Sequence, residues 1–272
     1  MTSSSLHASR TDAAHSRPKK SLGQHFLVNT GVIKKIIAAV KIEPGTTILE
    51  IGPGPGTLTE PLATHATRLV AIEADRQLAA TLQTRCARMA HVTILPGDIL
   101  QFAWDIHLLP PPVIVVGNIP YNITSPILFW LIAHRMHIDR AILTMQREVA
   151  ERLTARPGTK AYGALTVGVQ AVAAVTTLFD IRPGSFRPAP RVISSTIRLT
   201  FPSPPPVRIE NAGHFRSVVR ALFMKRRKML RNIIPPAALL AAGIDPTRRP
   251  ETLTVHECAA LARSVPRGIE TT

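Results

Sequence analysis

The segment Ile48-Leu-Glu-Ile-Gly-Pro-Gly-Pro-Gly56 joins an apolar strand to a glycine-rich turn, and a helical pattern follows from Leu58. Glycines at positions 52, 54 and 56 let the backbone turn sharply and approach a ligand closely. Their spacing is Gly-x-Gly-x-Gly rather than the Gly-x-Gly-x-x-Gly typical of NAD sites, and the Gly-Lys-Ser/Thr of a P-loop does not follow. The segment therefore predicts the first strand, turn and helix of an open α/β sheet that binds a ligand at its edge.

Acidic residues follow the next two predicted strands. Glu73 ends the run Leu-Val-Ala-Ile-Glu about 20 residues after the glycine turn, where a carboxylate can accept hydrogen bonds from ribose hydroxyls. Asp98 follows the strand after that one. Because the carboxyl ends of parallel strands meet at one edge of a sheet, we expect both acids beside the glycine turn. The pattern indicates a nucleoside-bearing cofactor and leaves NAD and S-adenosylmethionine as alternatives.

Short β-rich runs alternate with helical patterns from residue 21 to about residue 201. The predicted strands are 46–51, 68–74, 92–95, 113–116 and 140–144, and the predicted helices are 31–40, 58–64, 77–87 and 126–134. Continuous apolar strands such as Val-Ile-Val-Val at 113–116 predict a parallel sheet buried on both faces. Two further strands, 175–181 and 192–200, are predicted as an antiparallel pair.

The Pro-rich stretch after residue 201 predicts a domain boundary. The predicted division is a disordered basic tail (1–20), a cofactor-binding domain (21–201), a linker (202–213) and a helical domain (214–272). Apolar residues near helical spacing between Phe215 and Ile233 predict the helix of the last domain. Residues 182–231 contain twelve Lys and Arg but one acid, Glu210, which indicates a phosphate-binding surface.

The composition indicates a folded protein with an anionic partner. The 272 residues carry a net charge of +16, yet 45% are hydrophobic and the mean hydropathy is +0.14, which excludes a wholly disordered basic chain. Cys86 and Cys258 are far apart and form no disulfide or zinc pattern, which suits a reducing compartment. No apolar run is long enough for a membrane helix. We therefore expect a cytoplasmic protein with no metal, and nothing in the sequence demands more than a monomer.

The fourth predicted strand ends in Asn118-Ile-Pro-Tyr121, which resembles the Asn/Asp-Pro-Pro-Tyr signature of S-adenosylmethionine-dependent amino-methyltransferases. Pro120 fixes the backbone there and presents Asn118 and Tyr121 at the sheet edge. The longer run Gly117-Asn-Ile-Pro-Tyr-Asn-Ile-Thr-Ser-Pro126 is similar to the rRNA adenine N6-dimethyltransferases. Further motifs of that family occur in the same order at 21–27, 50–54, 146–153, 158–165, 186–192 and 223–232.

The resemblance is greatest to the bacterial small-subunit (16S) rRNA adenine N6-dimethyltransferase family. It implies a Rossmann-like S-adenosylmethionine-dependent methyltransferase sheet with a small C-terminal all-helical domain. It also implies dimethylation of two adjacent adenosines in the 3′-terminal hairpin loop of 16S rRNA, within a pre-assembled small subunit, and a role in small-subunit biogenesis. S-adenosylmethionine would be the methyl donor.

The resemblance also implies the roles of individual residues. The cofactor site would comprise His25 and Leu27 as N-terminal contacts, Gly52 and Gly54 at the methionine end, Glu73 at the ribose, Asp98 at the adenine and Asn118 at both cofactor and target. At the target base, the Asn118 side chain and a backbone carbonyl (Asn118, Ile119 or Pro120) would accept from the exocyclic amine. Tyr121 would stack on the base and Phe186 would cover its other face. The RNA contacts would be Lys225, Arg226, Arg227, Lys228 and Arg231.

Plainer interpretations stand beside these roles. Tyr121 could be a rim aromatic, Phe186 a buried loop anchor, and the segment Lys225–Lys228 a solvated helix face. Position 25 is His where many relatives have Asn, and Arg191-Val-Ile-Ser-Ser195 replaces the usual Lys-Val-Asp-Ser-Ala. Three other functions remain alternatives: the related large-subunit rRNA dimethyltransferase of macrolide resistance, an assembly factor without catalysis, and a mitochondrial relative with a role in transcription.

Overall fold

The computed structural model describes residues 23–267, so the predicted tail and the last five residues lie outside the described part of the chain. The strands are β1 (Phe26–Leu27), β2 (Thr47–Ile51), β3 (Arg68–Glu73), β4 (Val92–Pro96), β5 (Val113–Asn118), β6 (Ile138–Gln146), β7 (Ala174–Ile181), β8 (Phe186–Arg187) and β9 (Ser194–Thr200). The helices are α1 (Thr30–Val40), α2 (Thr59–Ala63), α3 (Arg76–Cys86), α4 (Thr124–Ala133), α5 (Arg147–Leu153), α6 (Ala164–Gln170), α7 (Ala212–Met224), α8 (Pro236–Ala241) and α9 (Val255–Ser264).

Seven strands form one sheet in the order β4-β3-β2-β5-β6-β9-β7. Strands β2 to β6 are parallel, whereas β9 runs antiparallel to both β6 and β7. Both sheet predictions are therefore confirmed, the parallel core and the antiparallel pair. The strand order reverses between β2 and β5, and open α/β sheets bind ligands at such a point.

The central strands are buried on both faces, as their continuous apolar sequences predict. Along β5, Val113 and Val115 join one apolar cluster, while Ile114 and Val116 join the cluster on the opposite face. Successive side chains of a strand point to opposite faces, so the sheet is covered on both sides. This burial makes the sheet a rigid support for the residues at its edge.

A short antiparallel ribbon holds the N-terminal segment against the sheet domain. In it, Phe26 pairs with Arg187 and Leu27 with Phe186. The Val28 N–H extends the attachment by donating to the Ser185 carbonyl at 2.8 Å. The ribbon places residues 23–27 over the edge where the glycine turn lies.

The C-terminal helices share an apolar core with part of the preceding domain. Tyr162, Val167 and Val172 pack in the same cluster as Phe215 and Leu222 of α7. Within the predicted linker, Val207 is buried and its N–H donates to the Ala171 carbonyl at 3.2 Å. Packing therefore crosses the predicted domain boundary.

The prediction of helical structure through Ile233 is wrong. Helix α7 ends at Met224, and a 3₁₀ turn follows at Leu230–Asn232. The Leu230 and Arg231 N–H groups donate to the carbonyls of Arg248 and Pro246, so they do not continue a helix. The predicted basic helix face at residues 225–228 is instead a turn. No helix within residues 23–267 is long and apolar enough to cross a membrane.

Candidate active site

A cavity of about 210 Å³ opens where β2, β3, β4 and β5 end. Every predicted cofactor-binding or catalytic residue lines it except Phe186. Residues from the N-terminal ribbon, the glycine turn and the Asn118–Tyr121 segment meet there, although they lie far apart in sequence. The sheet edge thus brings together the two sites that the sequence motifs predict separately.

The glycine turn is shaped by three residues with positive φ, of which Gly52 and Gly54 line the cavity. Gly52 has a φ of +65° and Gly54 a φ of +56°, which L-amino acids with side chains rarely adopt. A Cβ on Gly54 would lie 3.1 Å from the Phe26 ring, whereas a Cβ on Gly52 would meet no atom within 4 Å. Because Gly52 lines the cavity, a side chain there would occupy ligand space.

Glu73 joins the glycine turn to the neighbouring strand. Its carboxylate is 4% exposed and accepts the Gly54 N–H at 2.8 Å through Oε2 and the Asp75 N–H at 2.8 Å through Oε1. Burial raises the pKa of Glu73, and these backbone donors oppose that rise. Each carboxylate oxygen keeps acceptor capacity for a ligand hydroxyl.

Glu50 is a cavity residue that we did not assign from the sequence. It is 1% exposed on β2, and its Oε2 has no hydrogen-bond partner among residues 23–267. Burial raises its pKa to about 8, and the nearby Glu73 charge adds to the rise. A carboxyl group on a fully buried strand costs free energy unless it has a partner, so its place in the apolar run Ile48–Ile51 could have revealed it.

Asp98 begins a 3₁₀ turn at the end of β4. Its Oδ1 accepts the Leu100 N–H at 2.9 Å, which leaves Oδ2 free of protein donors within the described part of the chain. The preceding Gly97 N–H donates to the Glu73 carbonyl at 2.8 Å. These backbone hydrogen bonds therefore hold Glu73 and Asp98 at one side of the cavity.

The Asn118 side chain is oriented by the N-terminal segment. Its Nδ2 donates to the His25 carbonyl at 2.8 Å, so Oδ1 remains as an acceptor on the cavity side of the network. The following Ile119 N–H donates to the Thr144 carbonyl at 2.9 Å, which fixes the backbone. The orientation of the Asn118 side-chain amide is thus fixed by the end of β5 and by His25, which lies 93 residues earlier in the chain.

Tyr121 is held on two sides. Its hydroxyl lies 2.7 Å from the Ser194 Oγ, and its ring stacks on the His25 ring at a centroid distance of 5.4 Å. Burial raises the pKa of the Tyr121 hydroxyl, so it stays protonated near neutral pH. His25 is itself fixed through its Nδ1, 2.7 Å from the Pro188 carbonyl.

The prediction that Phe186 covers a target base does not fit its burial. Phe186 is 1% exposed and packs in the apolar cluster of Leu27 and Ile36. Pairing of β8 with β1 turns its side chain into the interior, away from the cavity. The alternative interpretation, a buried loop anchor, describes this position.

The family model for ribosomal RNA adenine dimethylase matches residues 15–263. The chain belongs to this family. Ribosomal RNA small subunit methyltransferase A of Syntrophotalea carbinolica is 41% identical over 258 residues, which cover 92% of this chain and 97% of that protein. The protein of the same name from Moorella thermoacetica is 40% identical over 266 residues, covering 91% and 92%.

Two crystal structures resemble the dimethylase over most of its length. A dimethyladenosine transferase from Plasmodium falciparum has a TM-score of 0.76 and 26% identity, covering 87% of this chain and 96% of that one. The 23S rRNA methyltransferase ErmE has a TM-score of 0.67 and 26% identity, covering 88% and 99%. The predicted fold class is confirmed, and the chain is an rRNA adenine dimethyltransferase that uses S-adenosylmethionine.

The cavity of the dimethylase fits this cofactor. The bare Cα of Gly52 leaves room beside the turn, and the unpartnered Glu50 Oε2 is complementary to an ammonium group. Glu73 and Asp98 supply acceptors for hydroxyl and amino groups. Residues 23–267 contain no cluster of three or more His, Cys, Asp or Glu that could hold a metal ion.

The predicted RNA-binding residues differ in their surroundings. Arg226 is engaged within the dimethylase: its Nε contacts Glu251 Oε2 at 2.6 Å, and its Nη groups donate to the carbonyls of Lys160 and Thr159 at 2.8 and 3.0 Å. The other four have no side-chain hydrogen bond or ion pair within residues 23–267: Lys225, Arg227, Lys228 and Arg231. Only these four are free to contact phosphates.

Proposed function

We propose that this dimethylase methylates N6 of two adjacent adenosines in the 3′-terminal hairpin loop of 16S rRNA, within a pre-assembled small subunit. Relatives called ribosomal RNA small subunit methyltransferase A support the small-subunit assignment, since they are 40–41% identical over at least 91% of this chain. The 23S rRNA methyltransferase ErmE is 26% identical. We also propose that the enzyme works as a cytoplasmic monomer without a metal and contributes to small-subunit biogenesis.

The observation that carries the mechanism is the orientation of Asn118. With Nδ2 held by the His25 carbonyl, Oδ1 is an acceptor for one hydrogen of the adenine amine. The Pro120 carbonyl is the second acceptor: it accepts the Ile123 N–H at 3.2 Å, and the Thr124 hydroxyl, 3.4 Å away, can donate instead to the Tyr121 carbonyl at 3.3 Å. Two acceptors that hold the amine hydrogens aim the nitrogen lone pair at the methyl donor, and such alignment lowers a barrier by several kcal/mol.

The cofactor residues hold the donor in the same cavity. We assign the ribose hydroxyls to Glu73, the adenine amino group to the free Oδ2 of Asp98, the amino-acid end to the Gly52 backbone and its ammonium group to Glu50. His25 and Leu27 close the cavity from the N-terminal side. When bound, S-adenosylmethionine supplies a methyl group on a positively charged sulfur.

The target base leaves its RNA stack to reach Asn118. Tyr121 offers its free face to the base, since His25 already covers the other, and base–aromatic stacking contributes about 1–3 kcal/mol. The mechanism needs no strong general base, because the N-methylated ammonium group loses its proton to water. Lys225, Arg227, Lys228 and Arg231 bind phosphates, and Arg226 holds their segment in place.

Radiolabelled methyl transfer from S-adenosylmethionine tests the substrate. Unmethylated small subunits, large subunits and free rRNA are compared, and the product nucleoside is identified. N6-dimethyladenosine on small subunits is the expected product. Label on the large-subunit RNA would establish the resistance-type activity of the ErmE relatives, whereas binding to small subunits without transfer would leave an assembly factor.

A further inference from the structure

A second cavity, of about 190 Å³, lies between the start of α7 and the end of α9. Its interior includes the buried apolar side chains of Phe215 and Val265. Three arginines also line it: Arg208, Arg263 and Arg267. None of these residues belongs to the cofactor cavity or to the basic segment at 225–231, so the second cavity is a separate feature of the C-terminal region.

The arginines of this cavity carry positive charge that no ion pair within residues 23–267 neutralises. All three are exposed, and none forms a side-chain hydrogen bond or ion pair with another residue of the described chain. Glu210 is the one acid in the lining. Guanidinium groups that converge on one opening suit a phosphate, whose oxygens accept paired hydrogen bonds.

The walls of the cavity are fixed by contacts within the fold. The His214 Nε2 lies 2.9 Å from the Val265 carbonyl and ties the start of α7 to the end of α9. The Asn211 side chain accepts the His214 N–H at 2.8 Å and caps α7. The 13-residue helix therefore begins at the cavity and adds the positive end of its dipole to the arginine charges.

Exposed arginines along α7 connect the cavity with the basic segment. Arg216 and Arg220 lie one turn apart on this helix and have no side-chain partner within residues 23–267. A helix of this length spans about 20 Å. Exposed arginines before α7, along it and after it suit a polyanionic strand better than a single small phosphate compound, which would need the cavity alone.

We propose that this cavity is a second RNA site of the dimethylase, in which Arg208, Arg263 and Arg267 hold a phosphodiester of the substrate rRNA. The proposal rests on the proposed rRNA substrate and deepens it. It makes the RNA contact extend from the basic segment along the whole of α7. A phosphate held there is about 20 Å from the segment at 225–231.

The test uses the full-length protein and compares two double variants. One is Arg208→Gln/Arg263→Gln, and the charge-matched control is Lys34→Gln/Arg88→Gln, whose side chains are exposed and lie outside both cavities. Binding to unmethylated small subunits is measured from 50 to 300 mM KCl. We expect the cavity variant to bind about tenfold more weakly and the slope of log K against log salt to fall by about 1, with the control unchanged.

Thermal unfolding and S-adenosylmethionine affinity of both variants should equal those of the wild type, since the exchanged side chains have no partners in the fold. A wild-type salt slope in the cavity variant would overturn the proposal.

A separate experiment measures whether inorganic phosphate or a mononucleotide stabilises the wild type. If either does, while the cavity variant keeps the wild-type salt slope, the site takes a free anion and the RNA assignment is wrong. If the wild type methylates large subunits instead, the proposed small-subunit substrate is wrong. The salt dependence of binding of the two double variants to large subunits then decides whether the cavity binds RNA.

Discussion

The cofactor cavity and the C-terminal region hold their charged groups in opposite ways. Glu50 and Glu73 are buried, and backbone N–H groups hold both oxygens of Glu73. Most arginines of the C-terminal region are exposed and unpartnered within the described residues, whereas Arg226 and Arg248 are paired with Glu251 and Glu257. A buried carboxyl group, ionised or protonated, has its position set by the strand that carries it, so it can orient a small ligand. An exposed charge keeps its conformational freedom and contributes affinity for a long anion.

The largest expected effect is at the cofactor edge. Asn118→Ala removes the acceptor for the target amine, and we expect single-turnover methyl transfer to fall by about 100- to 1000-fold. Retention of small subunits should stay at the wild-type level, because the proposed phosphate contacts lie elsewhere. The exposed Asn232→Ala serves as control, and wild-type turnover by Asn118→Ala would remove Asn118 from the mechanism.

The buried carboxyl of Glu50 predicts a pH-dependent stability. Its pKa is about 8 in the folded chain against 4.5 for the free group, so between these values the folded state keeps a proton that the unfolded state releases. The free energy of unfolding of the cofactor-free protein should therefore fall as the pH rises from about 5 to 8, by a few kcal/mol. Denaturant unfolding at several pH values should show this slope in the wild type and a flatter one in Glu50→Gln.

The same group links cofactor binding to proton release. An ammonium group beside Glu50 favours its ionised form, so binding of S-adenosylmethionine near neutral pH should release a proton. Calorimetry in buffers of different ionisation enthalpy measures this directly. Equal proton release by the wild type and Glu50→Gln would show that Glu50 does not face the ammonium group.

Arg226 and Arg227 are adjacent, but only Arg226 is bonded to other described residues, so their variants separate stability from RNA binding. Arg226→Gln breaks the contacts with Glu251 and two carbonyls, and we expect the free energy of unfolding to fall by about 1–3 kcal/mol. The salt dependence of RNA binding should keep its wild-type slope in this variant. A reduced slope at unchanged stability would return Arg226 to the phosphate contacts.

The smallest expected effect is that of Arg227→Gln. This exposed side chain has no partner in the described chain, so stability should change by less than about 0.5 kcal/mol. The salt slope should fall by about 0.7 to 0.9, the value for one lost phosphate contact. Filter binding over a salt series measures it, with Lys34→Gln as control; a wild-type slope would place Arg227 outside the RNA contact.

Features that depend on local sequence were predicted well. The strand predicted at 113–116 is β5, Val113–Asn118, and the acids after β3 and β4 line the expected cavity, because strand ends alone put them there. Features that depend on contacts with residues far away in the sequence were not predicted. Phe186 is buried by pairing with β1, and the turn at 225–228 leads into contacts with the carbonyls of Pro246 and Arg248. Glu50 was missed although its place in the apolar run 48–51 was a signal, because only the fold shows that its Oε2 has no partner among residues 23–267.

The apolar core shared by α6 and the C-terminal helices has a consequence for substrate choice. Because Tyr162 and Val167 pack with Phe215 and Leu222, the basic surface and the cofactor cavity keep a constant separation. We therefore expect an adenosine to reach Asn118 only if phosphates of the same RNA lie at the distance that separates the basic surface from the cofactor cavity. On the proposed function, we expect an unfolded RNA to meet this condition rarely and the assembled subunit to present it permanently, so that the fixed separation discriminates between folded and unfolded substrate.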